Sequence, residues 1–212
     1  NSYFTITDIP SGSVSNTLEF WLKLNTLASG IIFTTSIYGL KLDINSSGTL
    51  GLSATTNSSA WDLTNQSSTN MTTNTWNHIA ITSTGGTIVL YLNGTSVASV
   101  ANAIVSIASL TFGYDANSLS YISGYIDELR LSSTVRYSST FTPAASAFTR
   151  DASTILLNHF DIPSSQYDIS SSDDVDLGLT RKTSNISPSY TWTSSGAKIS
   201  CLNYKFGVSS LS

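Results

Sequence analysis

Residues 75–100 read TWNHIAITSTGGTIVLYLNGTSVASV, and this stretch decides the fold. Two runs rich in β-branched and aromatic residues, WNHIAIT and IVLYL, are parted by Gly85-Gly86, and Asn93-Gly94 then leads into TSVASV. Gly-Gly and Asn-Gly between such runs are the strongest short-range hairpin signals, because tight primed turns need positive φ at their central residues. The spacing predicts three consecutive antiparallel strands, the start of a meander.

Working outward, residues 17–24 (TLEFWLKL) alternate, with Leu18, Phe20, Leu22 and Leu24 on one face and Glu19, Trp21 and Lys23 on the other. Trp21 on the polar side implies that this second face is partly covered or lines a groove. Residues 2–6, 31–35, 41–44, 49–53, 110–114 and 125–131 read as further strands, and Asn45-Ser46-Ser47-Gly48 as a four-residue hairpin loop. In 125–131 the alternation sets Ile126, Glu128 and Arg130 on one face and Asp127, Leu129 and Leu131 on the other. Residues 55–75 are mostly Thr, Asn and Ser, and read as a strand-poor loop region anchored by Trp61, Leu63 and Met71. After Pro163 comes a polar excursion, 164–187, then strand candidates at 190–193, 198–202 and 206–211. Helical periodicity is absent beyond a turn or two. About ten short, turn-punctuated strands point to an all-β fold, an antiparallel two-sheet sandwich or jelly roll.

Composition agrees. Charged residues are only 10% of the 212, against about a quarter in ordinary domains. Ser and Thr make up about a third, so the solvent faces are built from hydroxyls, a habit associated with extracellular and virion β-proteins. Four Trp, ten Tyr and eight Phe supply a sizeable core. A net charge of −4 with no Lys/Arg stripe argues against nucleic acid, and no apolar run suits membrane insertion. Cys201 is the single cysteine, which excludes an intrachain disulfide. The start at Asn1 reads as a processed chain, a fragment or an excised repeat.

Several phrases together carry a family resemblance: TLEFWLKL (17–24), TWNHIAIT (75–82), YLNGT (91–95), GYIDELRLS (124–132) and VRYSSTFTPAASAFTRD (135–151). In this order they resemble the laminin-G-like, concanavalin A-like jelly-roll domains, above all those of phage tail and virion proteins and bacterial surface proteins. The resemblance covers residues 1–151, which it implies form a jelly-roll core, and leaves 152–212 as a C-terminal extension. It implies an extracellular setting, on a virion surface or a cell-surface appendage. In that family, segments like TILLNHFD (154–161) and KFGVSSLS (205–212) precede the strand resembling SYFTI, whereas here they follow the body. The chain therefore reads as a circular permutation or as ending inside the start of a next unit. The extension then completes this jelly roll or that of a neighbouring subunit or repeat, with Phe206, Val208 and Leu211 as the assembly strand. Copies of the chain itself are accordingly expected partners. One departure stands out: Ile162-Pro163 occupy the place where the family usually has Gly.

The candidate chemistries divide as follows. Concanavalin A-like folds include glucanases, which need two carboxylates about 5–5.5 Å or 6.5–9.5 Å apart. The chain has two glutamates, Glu19 and Glu128, distant in sequence. Asp127 and Glu128 are adjacent, so a regular strand sends them to opposite faces. His78 and His159 sit in apolar alternating runs, where a hydrogen-bonded structural role is expected, and no nucleophile elbow is present. The expectation is therefore no catalytic residue and no enzyme. Zinc is poorly served by one Cys and two distant His. Calcium is the better metal, since laminin-G-like domains often carry one at the sandwich rim, and Asp173, Asp174 and Asp176 offer the oxygen density. They lack an EF-hand-like Gly spacing and a closing Glu, so a solvated acidic loop is the preferred reading and no cofactor is required. Carbohydrate binding needs aromatic platforms beside polar groups; Trp61, Tyr114, Tyr121 and Trp192 lie in or near loops and could serve cell-surface glycans. The leading expectation is a non-catalytic structural and adhesive module of an extracellular assembly, with a lectin-like receptor as the alternative and a glycoside hydrolase as a remote one.

Overall fold

The computed structural model of the chain describes residues 2–10, 16–35, 39–103, 105, 107–113 and 122–160, with the backbone alone of 190–194 and 199–200. Among the described residues there is no helix. The strands are β1 Ser2–Ile6, β2 Asn16–Leu24, β3 Gly30–Thr35, β4 Leu40–Ile44, β5 Leu50–Ala54, β6 Leu63–Gln66, β7 Asn77–Thr84, β8 Thr87–Leu92, β9 Thr95–Val100, β10 Leu110–Phe112, β11 Gly124–Ser132, β12 Thr154–Asn158, β13 Tyr190–Ser194 and β14 Ile199–Ser200. Sheet I runs in the order β13-β1-β10-β3-β4-β5-β6, and sheet II in the order β12-β11-β2-β7-β8-β9, with β14 beside β11.

The meander forms for the reason its sequence gives. Thr84 faces Thr87 across Gly85 (φ 55°) and Gly86 (φ 80°), and Leu92 faces Thr95 across Asn93 (φ 51°) and Gly94 (φ 83°). Both are two-residue turns with positive φ at both central positions, the type I′ geometry that matches strand twist.

The two sheets enclose one apolar core. Leu18, Phe20, Leu22 and Leu24 of β2 are buried in it, as are Ile79 and Ile81 of β7 and Leu90 of β8. From sheet I come Phe4, Ile6, Phe33, Leu40, Leu42, Leu52 and Phe112. An aromatic cluster joins the layers. Phe20 of sheet II stands edge-on to Phe112 (ring centroids 5.3 Å) and Phe33 (6.0 Å) of sheet I, and Phe112 stacks on Phe4 (4.9 Å). Each pair adds about 0.5–1.5 kcal/mol beyond the area it buries.

Two sequence expectations need correction. Within 55–75 the residues LTNQ form a strand, β6, antiparallel to β5. It carries no apolar alternation because it is an edge strand with exposed side chains, held by its backbone ladder rather than by burial. In β11 the alternation fails: the register shifts between Asp127 and Arg130, and Glu128 sits at φ 54°. This bulge puts Ile126, Leu129 and Leu131 together in the core, and turns Asp127, Glu128 and Arg130 to the other side.

The segments beyond 151 pair within the chain. β12 runs antiparallel to β11, β13 antiparallel to β1, and β14 parallel to the start of β11. Residues 205–212, with Phe206, Val208 and Leu211, lie outside the described residues.

Candidate functional site

The outer face of sheet II is covered over its central strands. Residues 133–150 lie across it, and the point of attachment is Glu19, whose side chain is 0% exposed. His78 Nε2 lies 3.2 Å from its Oε2, and the Tyr137 hydroxyl donates to the same oxygen at 2.7 Å. Arg130 places Nε at 2.9 Å and Nη2 at 2.7 Å from Oε1. Burial pushes the Glu19 carboxyl up, but the His78 hydrogen bond, the Arg130 charge and the Tyr137 hydroxyl together outweigh it, and the group is held below its ordinary value. Burial, and then the Glu19 charge, push the Tyr137 phenol well above its own.

His78 is ringed by aromatic edges from Trp21, Tyr137, Phe141 and Phe148. Its Nδ1 has no hydrogen-bond partner among the described residues. The proton therefore belongs on Nε2, facing Glu19. Trp21, Phe148 and Leu157 form a second, smaller apolar cluster here, with Trp76 against it, and the Arg130 guanidinium lies 4.3 Å over the Phe148 ring. Gly94 lets the covering segment approach: Phe141 N donates to its carbonyl at 3.0 Å, and a Cβ at Gly94 would stand 1.8 Å from Phe141 O. Arg136 closes the far end with a bidentate pair to Asp151 at 2.9 and 2.8 Å.

Glu128 is equally committed. Its Oε2 accepts Phe148 N–H at 2.6 Å, and its Oε1 lies 2.7 Å from His159 Nδ1. The expectation that Asp127 and Glu128 face opposite ways is overturned by the bulge. Asp127 sits opposite the outer-face Trp21, and the Glu128 carboxylate reaches Phe148 on that same side. Both Glu128 oxygens nevertheless serve contacts that hold residues 148 and 159 in place.

The outer face of sheet I is different in character. Cross-strand registers align Thr5, Thr111, Thr34, Lys41, Ser53 and Thr64 in one transverse row over six strands. A second row sets Ile31, Asp43, Gly51 and Gln66 side by side. Lys41 Nζ stands 3.4 Å from Asp43 Oδ2 and 5.4 Å from the centre of the Trp61 ring. Burial raises the Asp43 carboxyl, and the Lys41 charge only partly offsets this. On this face Ile31 and Ser53 are buried, Thr5, Thr34, Lys41, Asp43 and Thr111 are half-buried, and Thr64 is exposed.

Of the sequence-derived site residues, Trp61 stands half-buried on this face. Tyr114, Tyr121, Asp173, Asp174 and Asp176 lie outside the described residues, and of Trp192 only the backbone, opposite Phe4, is described. Lys41, Asp43 and Gly51 were missed. The LKLDI alternation and a glycine in mid-strand were the available signals, but the register that brings them to Trp61 is not written in either segment.

The architecture defines a concanavalin A-like jelly-roll sandwich. Residues 1–140 match the laminin G model of the concanavalin A-like lectin/glucanases superfamily, and the chain belongs to that family. No curated protein matches it in sequence. Among solved structures it is similar to a candidate carbohydrate-binding protein from Bacteroides ovatus, at 19% identity and a TM-score of 0.55, over 76% of this chain and 50% of that one. It is also similar to a heptameric pentraxin from Limulus polyphemus (17%, TM-score 0.48, 64% and 71%) and to domains LG4-5 of the mouse laminin α1 chain (15%, 0.46, 67% and 44%). At these identities the likeness is one of fold. The chain spans only half the length of the Bacteroides protein.

Proposed function

We infer that the chain is a non-catalytic adhesive module of an extracellular assembly, on a virion surface or a cell-surface appendage, and that carbohydrate is what it adheres to. The observation that carries the non-catalytic reading is the commitment of both glutamates and both histidines to contacts that hold residues 133–160 on the sandwich. A glycosidase needs a carboxylate pair facing substrate, with one acid and one base or nucleophile free to exchange protons. Glu19 is instead fully enclosed, and Glu128 has an oxygen on a backbone N–H and another on His159. The carbohydrate reading is supported by the polar, hydroxyl-rich outer face of sheet I, and the Bacteroides protein, itself a candidate carbohydrate-binding protein, shares the fold.

A glycan array read with and without calcium tests adhesion, and the comparison shows whether calcium assists it. Retention on glycans without release of reducing ends is the expected result, and turnover that depends on Glu19 or Glu128 would overturn the reading. Assembly through residues 205–212 is a separate question. In the single chain β12 pairs with β11 and β13 with β1, and completion within the chain is the arrangement we infer. Deleting 205–212 is expected to lower the melting temperature of a chain that stays monomeric; loss of a pre-existing assembly would favour donation.

A further inference from the structure

We propose that the outer face of sheet I is the binding surface for an extended neutral glycan, seated on Trp61 and hydrogen-bonded by Asp43 and the transverse hydroxyl row. The proposal rests on the carbohydrate reading above and assigns it a place and a ligand class.

The first observation is the row itself. Adjacent strands are about 4.8 Å apart, so from Thr5 to Thr64 the row is roughly 24 Å long, enough for several sugar rings. Its members are hydroxyls broken by Lys41 and by a buried Ser53, so Thr5, Thr111 and Thr34 on one side and Thr64 on the other are the accessible ones; Thr5 and Thr111 already bond to each other, Oγ1 to Oγ1, at 3.0 Å. A hydroxyl donates and accepts, so such a row suits a ligand that is itself a line of hydroxyls. None of the row's members is apolar, so the row itself does not suit a protein partner that docks by apolar contact. Among the described residues, Lys41 is paired with Asp43 across the face, so its charge is already answered and does not favour an acidic chain.

The second observation is the arrangement around Asp43. Gly51 lies opposite it in mid-strand, a placement that weakens a strand. A Cβ there would stand 2.2 Å from Asp43 Oδ1. The missing side chain is therefore what lets the carboxylate lie over the neighbouring strand. A carboxylate accepts from two donors at once, which matches a vicinal diol.

The third is the loop that presents Trp61. Although residues 56–60 are exposed, their own side chains tie them down. Thr55 Oγ1 accepts Asn57 N–H (3.2 Å) and Ser58 N–H (2.9 Å), Asn57 Oδ1 accepts Ser59 N–H (2.9 Å), and Asp62 accepts both the N–H (2.8 Å) and the hydroxyl of Thr56. Lys41 then orients the indole by a cation–π contact. A platform fixed before the ligand arrives loses less entropy on binding.

The test is calorimetric titration of the whole chain and of Trp61→Ala, Asp43→Asn and Gly51→Ala with cellohexaose, laminarihexaose and mannohexaose, and with a galacturonate hexamer as the acidic counterpart. Near-ultraviolet dichroism confirms that each variant is folded. Gly51→Ala is the informative one, because the three nearest atoms its methyl would meet all belong to the flexible Asp43 carboxylate. The expected result is binding of at least one neutral hexamer, weakened about tenfold or more by Trp61→Ala and Asp43→Asn, and weakened likewise by Gly51→Ala. Neutral-glycan binding that all three variants retain would overturn this site and leave the adhesion reading standing. Preference for the galacturonate would overturn the ligand class, and no binding of any glycan, here or on an array, would overturn both.

Discussion

Replacing Glu19 by Gln removes one charge from a buried network without changing its shape. Gln keeps one acceptor oxygen for Arg130 but turns an amide N–H₂ toward His78 and Tyr137, both of which donate to this position. Arg130, itself buried, is left as an uncompensated cation. Breaking one partner out of a buried ion pair costs about 3–5 kcal/mol, a large fraction of the stability of an ordinary domain. For a chain of this size that is a fall in melting temperature of roughly 10 °C. The pH dependence has a definite sign. The Glu19 carboxyl is lowered in the fold, so its contribution is fully present above the ordinary value of 4.5 and is lost as pH falls below it through the folded value. Urea denaturation of both proteins at pH 7 and pH 3 should therefore show a large gap that is narrower at pH 3. Wild-type stability of Glu19→Gln at pH 7 would refute the structural role, and the refutation would be complete if the same variant had lost a hydrolytic activity.

Three further outcomes follow from the geometry. Gly94→Ala should cost at least about 1 kcal/mol, because Gly94 has φ 83° and its new methyl meets Phe141 O; proteolysis within 133–150 should become faster, and unchanged cleavage would contradict the docking described. Asp43→Asn should raise the melting temperature slightly at pH 7 and leave it unchanged at pH 3. The reason is that a carboxyl raised in the fold is penalised when ionised, so its cost appears as pH rises through the folded value; a lower melting temperature at pH 7 would be the contrary result. Asp151→Asn should weaken the protein modestly above the ordinary value of 3.8, and the loss should shrink progressively as pH falls below it, since the Arg136 hydrogen bonds lower this carboxyl. The loss should shrink in high salt because the group is exposed.

The physical reasons for what the sequence disclosed are specific. Turn chemistry at Gly85-Gly86 and Asn93-Gly94 and the alternation of 17–24 are local properties, and both stand in the structure as read. Trp21 on the polar side of β2 correctly marked a covered second face, because an indole there has to be buried by something. β6 was invisible because an edge strand has no need of an apolar stripe. The bulge at Glu128 was invisible because a residue-by-residue alternation has no way to register an inserted residue, and a non-glycine at φ 54° is a conformation no pattern announces. The two polar clusters divide in the same way. Glu19 was noticed as a carboxylate, but its partners come from β7, β11 and the segment after it, 59 to 118 positions away. Lys41, Asp43 and Gly51 were legible as outward residues of two strands, yet their meeting with Trp61 depends on the pairing of β4, β5 and β6.

The most direct measurement is electrophoresis of the native chain through gels containing a neutral polysaccharide, with reducing ends assayed in the same gel slice. The account predicts retarded migration, relieved in Trp61→Ala, with no reducing ends above those of the polysaccharide alone. Reducing ends that accumulate with wild type and vanish with Glu19→Gln or Glu128→Gln would contradict it.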